Sequence, residues 1–433
     1  MSVAPSSPTP AAVPSAAPCQ VPAGVQGEEV TVLLAEFARI PDPRAERGRR
    51  FPLPSVLALS VCALTPAGND SLTAAAEWCR RATDDELAAF QLPYDLIAGG
   101  YRVPSEKTLR RVLGLLDPAR LSTAAFAYLR PLLPGPGQTT AGARVTPDGL
   151  DEREQRRRHG EAADEDRPAP RRHAIAVDGK CLRGARRPDG SHVFVLSAVT
   201  HGDGITLASR EIGAKTNEIP EFAPLLDQID DTDLTGAIVT VDALHAQRDH
   251  ATYLVEQRGA HYLFTIKGNQ KKLARQLHAL PWKDIPVVHR DDTTGHGRNE
   301  RRLVQVATVN NLLFPHARQV LRIQRKRRAA GQRRWRTETV YAITDLPAEQ
   351  ATAAEIASWA RGHWTVENTV HWCRDVTFGE DASQVRRHHT PAVLAVLRDL
   401  IRSALKLAGW ANIAAARRAH TDRHRVLALY GLT

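Results

Sequence analysis

The chain has 433 residues, 42% hydrophobic and 24% charged, an ordinary balance for a folded protein of two or three domains. Its formal net charge of +10 favours an acidic partner, and nucleic acid is the commonest one. Five cysteines with no C-x-x-C pair argue against a disulfide framework or a zinc site and fit a reducing cytoplasm.

Residues 1–28 are rich in Pro, Ala and Ser and read as a disordered tail. The stretch MSVAPSSPTPAAVPSAAP has neither the basic nor the apolar region of a secretory signal. Residues 29–133 carry a helical pattern, beginning with Val30, Leu33, Leu34 and Phe37. LPSVLALSVCAL, at 53–64, is too short to span a bilayer and reads as a core helix, so no membrane association is expected. Thr83 and Glu86 form a capping box ahead of a helix at DDELAAF. Ser105 opens a further helix, EKTLRRVLGLL, where Arg110 and Arg111 stand beside the stripe Leu109, Val112, Leu113 and Leu116. This unit is either a DNA-binding helical domain using Arg110 and Arg111 or a plain bundle. Residues 134–172 lose all pattern. Acids balance most bases in DEREQRRRHGEAADEDRPAPRRH, so the segment reads as a disordered linker.

After the linker the period changes to that of strands. HAIAVDG (173–179), SHVFVLSAV (191–199) and GITLASREI (204–212) form a meander, with turn chemistry in RRPDGS and HGDG. A helix follows near EIPEFAPLLDQI. Then come a strand GAIVTVDAL (236–244), a helix QRDHATYLVEQRG and a strand HYLFTIKGN (261–269). Connections of that length give parallel neighbours.

Two of these apolar runs end on an acid, Asp178 and Asp242. A single acid there reads as a turn cap at Gly179. If the two strands are neighbours, about 4.8 Å apart, the carboxylates meet at one edge of the sheet. Like charges that close need compensation, and a hard divalent cation supplies it. A third acid is expected from RGHWTVENTVHWCRDVTFGED (361–381). At helical spacing His363, Glu367, Val370 and Arg374 share a face, with His371 at its margin. Trp364 and Trp372 fall off that face and are expected to anchor the helix. An acid triad supports two-metal phosphodiester chemistry without a protein nucleophile.

Between Asp242 and Glu367 lies a long insert, about 283–348, with strand-like IPVVHR, RRLVQVATV and TETVYAITDL. From Arg318 to Arg336 there are nine Arg/Lys and no Asp/Glu. Either this is a solvated basic hairpin, or Arg325, Lys326, Arg327, Arg328, Arg333 and Arg334 contact DNA phosphates. Trp335 either stacks on an unpaired end base or packs into its own hairpin.

These stretches resemble the DDE (Asp-Asp-Glu) transposases of bacterial insertion sequences, and within them the ISAs-type group that includes the H-repeat-associated proteins. AVDGKCLRGA, AKTNEIPEF, TVDALHAQRDHA with YLFTIKGNQKKL, and RGHWTVENTVHWCRDVTFGEDASQVRR carry the likeness in order. DPRAERGRRFPLPSVLALSVCAL and PSEKTLRRVL resemble the N-terminal domain associated with the group. The resemblance implies an α/β fold: a ribonuclease-H-like mixed sheet flanked by helices over 173–433, with a β-rich insertion and an N-terminal helical domain. It implies that Asp178, Asp242 and Glu367 bind two Mg2+ ions, or Mn2+, and cut and join DNA. The partners implied are terminal inverted repeats and target DNA, met by a homodimer in the synaptic complex. It sets Lys267 and Asn269 near the DNA. His363 and Arg374 stand where the wider group has phosphate-contacting Arg and Lys, and Ala360 where it has Tyr. A DNA-binding derivative without catalysis is the alternative.

Overall fold

In the computed structural model, residues 32–133 and 172–432 are described, apart from 188, 214–216, 296 and 311. The expected tail, nearly all of the expected linker and Lys215 lie outside the described residues.

The uncharged run Leu53–Leu64 forms a helix that is buried on nearly every side. Polar residues set the starts of its neighbours. Ser71 caps Leu72–Arg80, Ser105 caps Glu106–Leu115 and Asp117 caps Pro118–Leu129. Thr83 and Glu86 form the expected capping box before Asp84–Ala89. A short hairpin, β1 (Tyr94–Asp95) and β2 (Gly100–Tyr101), separates two of these helices. The core of the N-terminal helices includes C-terminal residues. Leu57, Val61 and Leu113 share it with Val393, Leu397 and Ile401 of the helix Thr390–Leu407. Arg417, fully buried, ties the two ends of the chain together. It donates to the carbonyls of Thr65, Pro66 and Thr377 and to Asp70.

The rest is built on one sheet of nine strands. These are β3 (Ala174–Arg186), β4 (His192–Thr200), β5 (Thr206–Ile212), β6 (Ile238–Val241), β7 (His261–Ile266), β8 (His289–Gly295), β9 (Arg298–Thr308), β10 (Gln319–Ala329) and β11 (Arg336–Thr344). Their order is 5-4-3-6-7-11-10-9-8. The β3–β6 and β6–β7 pairs are parallel and the others antiparallel. A meander followed by two parallel strands is the ribonuclease-H-like arrangement that the sequence predicts.

The insertion continues the same sheet, because β11 pairs with β7 from Tyr341↔Ile266 to Thr344↔Leu263. The basic run is itself β10, folded back on β11.

β3 is longer than expected. It does not stop at Asp178 but runs on to Arg186, because β4 goes on pairing with it from Asp178↔Ser197 to Leu182↔Val193. Only the parallel ladder to β6 ends there, at Val177↔Val241. Asp178 and Asp242 are therefore each one residue beyond the same rung.

Strand alternation sorts the rest. Ile175, Val177, Val239 and Val241 pack on one face with Phe222 and Leu225. Ala174 and Ile238 face Ile356 and Trp359, while Ala176 faces Val366 and Val370. By parity Asp178 and Asp242 belong to this second face, the one covered by the segment that carries Glu367. Among the described residues, no helix is long and apolar enough to cross a membrane.

Candidate metal centre

Each acid is held by its local backbone. Asp178 accepts from the Gly179 amide at 3.0 Å. Asp242 follows the last residue of β6 and accepts from the Leu244 and His245 amides, at 2.9 and 3.3 Å, which fixes the turn after the strand. Glu367 sits on Val366–His371, which is π-helical, as is Cys373–Thr377. Regular helix ends at Gly362. π-helical turns recur at functional sites.

The π-helical winding changes which side chains share a face. Glu367 is exposed, with its Oε2 3.2 Å from His371 Nδ1. The same nitrogen lies 3.7 Å from Asp178 Oδ2. Asp178, Glu367 and His371 offer ligand atoms all within 4.8 Å of one another. Asp242 is not part of that group, but its charge is felt at Asp178.

Burial, then the charges of Asp242 and Glu218, push the Asp178 carboxyl up to about 6, against the pull of His371 and the Gly179 amide. The His371 hydrogen bond holds Glu367 below its ordinary value. A buried carboxylate raised in this way beside other acids fits a divalent cation, whose charge relieves the repulsion.

Two residues of the site carry no obvious sequence signal. A Cβ on Gly179 would collide with the Glu218 carboxylate. The missing side chain of Gly179 leaves room for Glu218, which also meets His245 Nε2 at 3.2 Å. Glu218 belongs to the NEIPEF stretch, but nothing in that stretch says where its side chain goes. His371, which helical spacing places only at the margin of the Glu367 face, signals its nearness through the four-residue interval that separates it from Glu367.

The residues expected on DNA divide into several groups. Arg374 is completely buried, with Glu380 at 2.8 Å and Asp399 at 3.3 Å. It is a core cation and not a phosphate contact, because the π-helical turns swing it inward, away from Glu367. His363 donates to or accepts from Thr240 Oγ1 at 3.0 Å, and burial lowers it to about 4. Trp364 and Trp372, expected as anchors, are instead 58% and 56% exposed. Lys267 is exposed just past β7. The Asn269 amide donates to the Ala243 carbonyl and braces the loop after Asp242.

In the insertion, acids on neighbouring strands neutralise part of the basic run. Arg325 pairs with Glu300 at 2.7 Å and Arg327 with Glu338 at 3.4 Å. Arg333 and Arg334 are exposed at the turn, while Lys326 and Arg328 are half-buried. Trp335 already has two cation–π partners, Arg328 at 4.9 Å and Arg301 at 5.6 Å. In the N-terminal helices Arg110 pairs with Glu106, and Arg111 is exposed. Asp375 and Glu380 bind Lys180 and Arg374 respectively, and Asp381 lies 3.6 Å from Arg183.

A ribonuclease-H-like sheet with an acidic edge defines a class of nucleic-acid-processing proteins, and comparison with known families narrows it. The Transposase DDE domain family matches residues 169–398, more than half of the chain, and a family described as DDE_Tnp_1-associated matches residues 34–129. The chain belongs to the DDE transposase family.

YncI of Escherichia coli O157:H7 is 28% identical over 245 residues, covering 54% of this chain and 61% of that protein. YbfL of E. coli K12 is 30% identical over 243 residues, covering 52% and 62%. The chain thus spans just over 60% of the length of these two relatives. An uncharacterized protein in the dhlA 3′ region of Xanthobacter autotrophicus is 27% identical over 68% of this chain and 89% of its own. A solved piggyBac transposase synaptic complex with hairpin DNA covers 93% of this chain and 78% of that one, at 12% identity and a TM-score of 0.36.

Proposed function

We propose that the protein cuts DNA at the ends of its own mobile element and joins the freed 3′-hydroxyls to target DNA. Asp178, Asp242 and Glu367 would hold divalent ions, magnesium or manganese, for this step. The observation that carries the reading is the shared rung. Asp178 and Asp242 follow directly on the last parallel pair, Val177↔Val241, and Glu367 is drawn onto Asp178 through His371.

When bound, divalent ions activate the attacking oxygen and stabilise the leaving one. The chain supplies the rest. β3 and β6 hold two carboxylates still. The π-helical segment brings the third from across the face. Lys267, with Arg333 and Arg334 on the insertion, offers exposed cations to the DNA backbone. Joining two ends calls for two copies of the protein on the DNA.

The test is strand cleavage and joining on DNA that bears the terminal inverted repeats, with magnesium or manganese. Asp178→Ala and Glu367→Ala should each lower the rate by about a thousand-fold, some 4 kcal/mol of barrier. Cleavage at the wild-type rate by either variant sinks the assignment. Binding of the repeats without cleavage in either metal would identify a non-catalytic DNA-binding derivative.

A further inference from the structure

His371 has no structural task that accounts for its placement. Its side chain is 6% exposed. Nδ1 faces Glu367 at 3.2 Å and Asp178 at 3.7 Å, while Nε2 is buried and unpartnered among the described residues. A single hydrogen bond explains the first distance but not the second, which is too long for one. A common ligand explains both. Octahedral coordination with bonds of about 2.1 Å sets adjacent donor atoms about 3 Å apart. The nearer separation, 3.2 Å, is close to that edge and the longer one, 3.7 Å, exceeds it by less than an ångström, and all three donors lie within 4.8 Å of one another.

We propose that His371 Nδ1 is itself a ligand of the ion held between Asp178 and Glu367, and that this imidazole tilts the position toward manganese over magnesium. The inference rests on the reading of those carboxylates as a metal site. Ligation through Nδ1 leaves the ring proton on Nε2. Magnesium is held by oxygen and keeps its waters, whereas an imidazole nitrogen is a softer donor that favours later divalent ions. Manganese accepts both donor types. Glu367 and His371 are four residues apart, a spacing that sets both side chains on one side of the segment.

The experiment is pulsed electron paramagnetic resonance on the full chain loaded with manganese alone. The wild type should show a 14N coupling that becomes a 15N coupling when the protein is made with 15N-histidine. His371→Asn should lose that coupling and bind manganese about ten-fold more weakly, with a smaller loss for magnesium. The labelling arm needs no variant, so a poorly folding His371→Asn leaves the test intact. Absence of nitrogen coupling in the wild type, or its persistence in His371→Asn, overturns the proposal. Asp178→Asn separates the two levels. If it loses manganese while the wild type shows no nitrogen, the carboxylate site stands and only the imidazole ligand falls. If it binds manganese as tightly as the wild type, the metal reading falls, and this inference with it.

Discussion

Glu367 and Arg374 are seven residues apart on one segment, yet they belong to opposite electrostatic designs. Around Arg374 the protein neutralises itself. Arg374, Arg398 and Arg402 interlock with Glu380 and Asp399 at 2.8–3.7 Å, and none of these side chains is more than 4% exposed. Around Glu367 it does not. Asp178, Asp242 and Glu218 lie at or next to one sheet edge, and Lys180, two residues after Asp178, is already bound to Asp375 at 2.7 Å. A buried charge with partners of the protein's own is architecture. A cluster of acids short of counter-charge is left for something that arrives from outside. The contrast separates two roles that the sequence motif, with both residues in one helix, had joined.

The strongest way to break the contrast is to remove a member of the buried cluster. Arg374→Ala removes the cation that bridges Glu380 and Asp399 in a dry interior, leaving each with a single arginine, and should cost about 3–5 kcal/mol. Chemical denaturation measures it, with the midpoint falling and the slope unchanged. A variant as stable as the wild type would mean that the cluster is not what holds this helix to Thr390–Leu407.

At the acidic edge the sign reverses. Asp178 is raised from 3.8 to about 6, chiefly by burial. An acid that is raised on folding costs nothing below its unfolded value and the full penalty above its folded one. The penalty therefore develops between about pH 4 and 6 and persists at higher pH. Metal-free Asp178→Asn should then be more stable than the wild type at pH 8 by up to about 3 kcal/mol, with the gain gone at pH 4. Thermal melts in chelator at the two pH values decide it. Equal stability at pH 8 would show that the edge carries no strain to be relieved.

Much of this edge was legible in the sequence. Apolar runs of strand length ending on Asp178 and Asp242 gave both strands, and connection length gave their parallel pairing. Capping residues such as Thr83 with Glu86 gave helix starts, because a cap is a local bond between near neighbours. What failed depended on distant partners. Nothing in HAIAVDGKCLRG tells that β4 will keep pairing past Asp178. A 3.6-residue period cannot reveal a π-helical stretch, so Arg374 was set on the face of Glu367, and Trp364 and Trp372 were expected to be buried. The basic run looked unopposed because Glu300 and Glu338, its counter-charges, lie on adjacent strands.

Gly179 gives the finest test of the edge. Its missing side chain is filled by the Glu218 carboxylate, which lies beside Asp178 and in reach of His245. Gly179→Ala should push Glu218 out, at about 1–2 kcal/mol, the cost of overpacking a filled site. The double variant Gly179→Ala, Glu218→Ala should recover most of that loss, since the added methyl group then has space. A double-mutant cycle on denaturation midpoints measures the coupling. Additive effects would mean that Gly179 is needed for the backbone alone. Strong coupling would mean that the glycine after Asp178 is there to admit a fourth carboxylate, so that even the residue beside the motif serves the imbalance of charge at this edge.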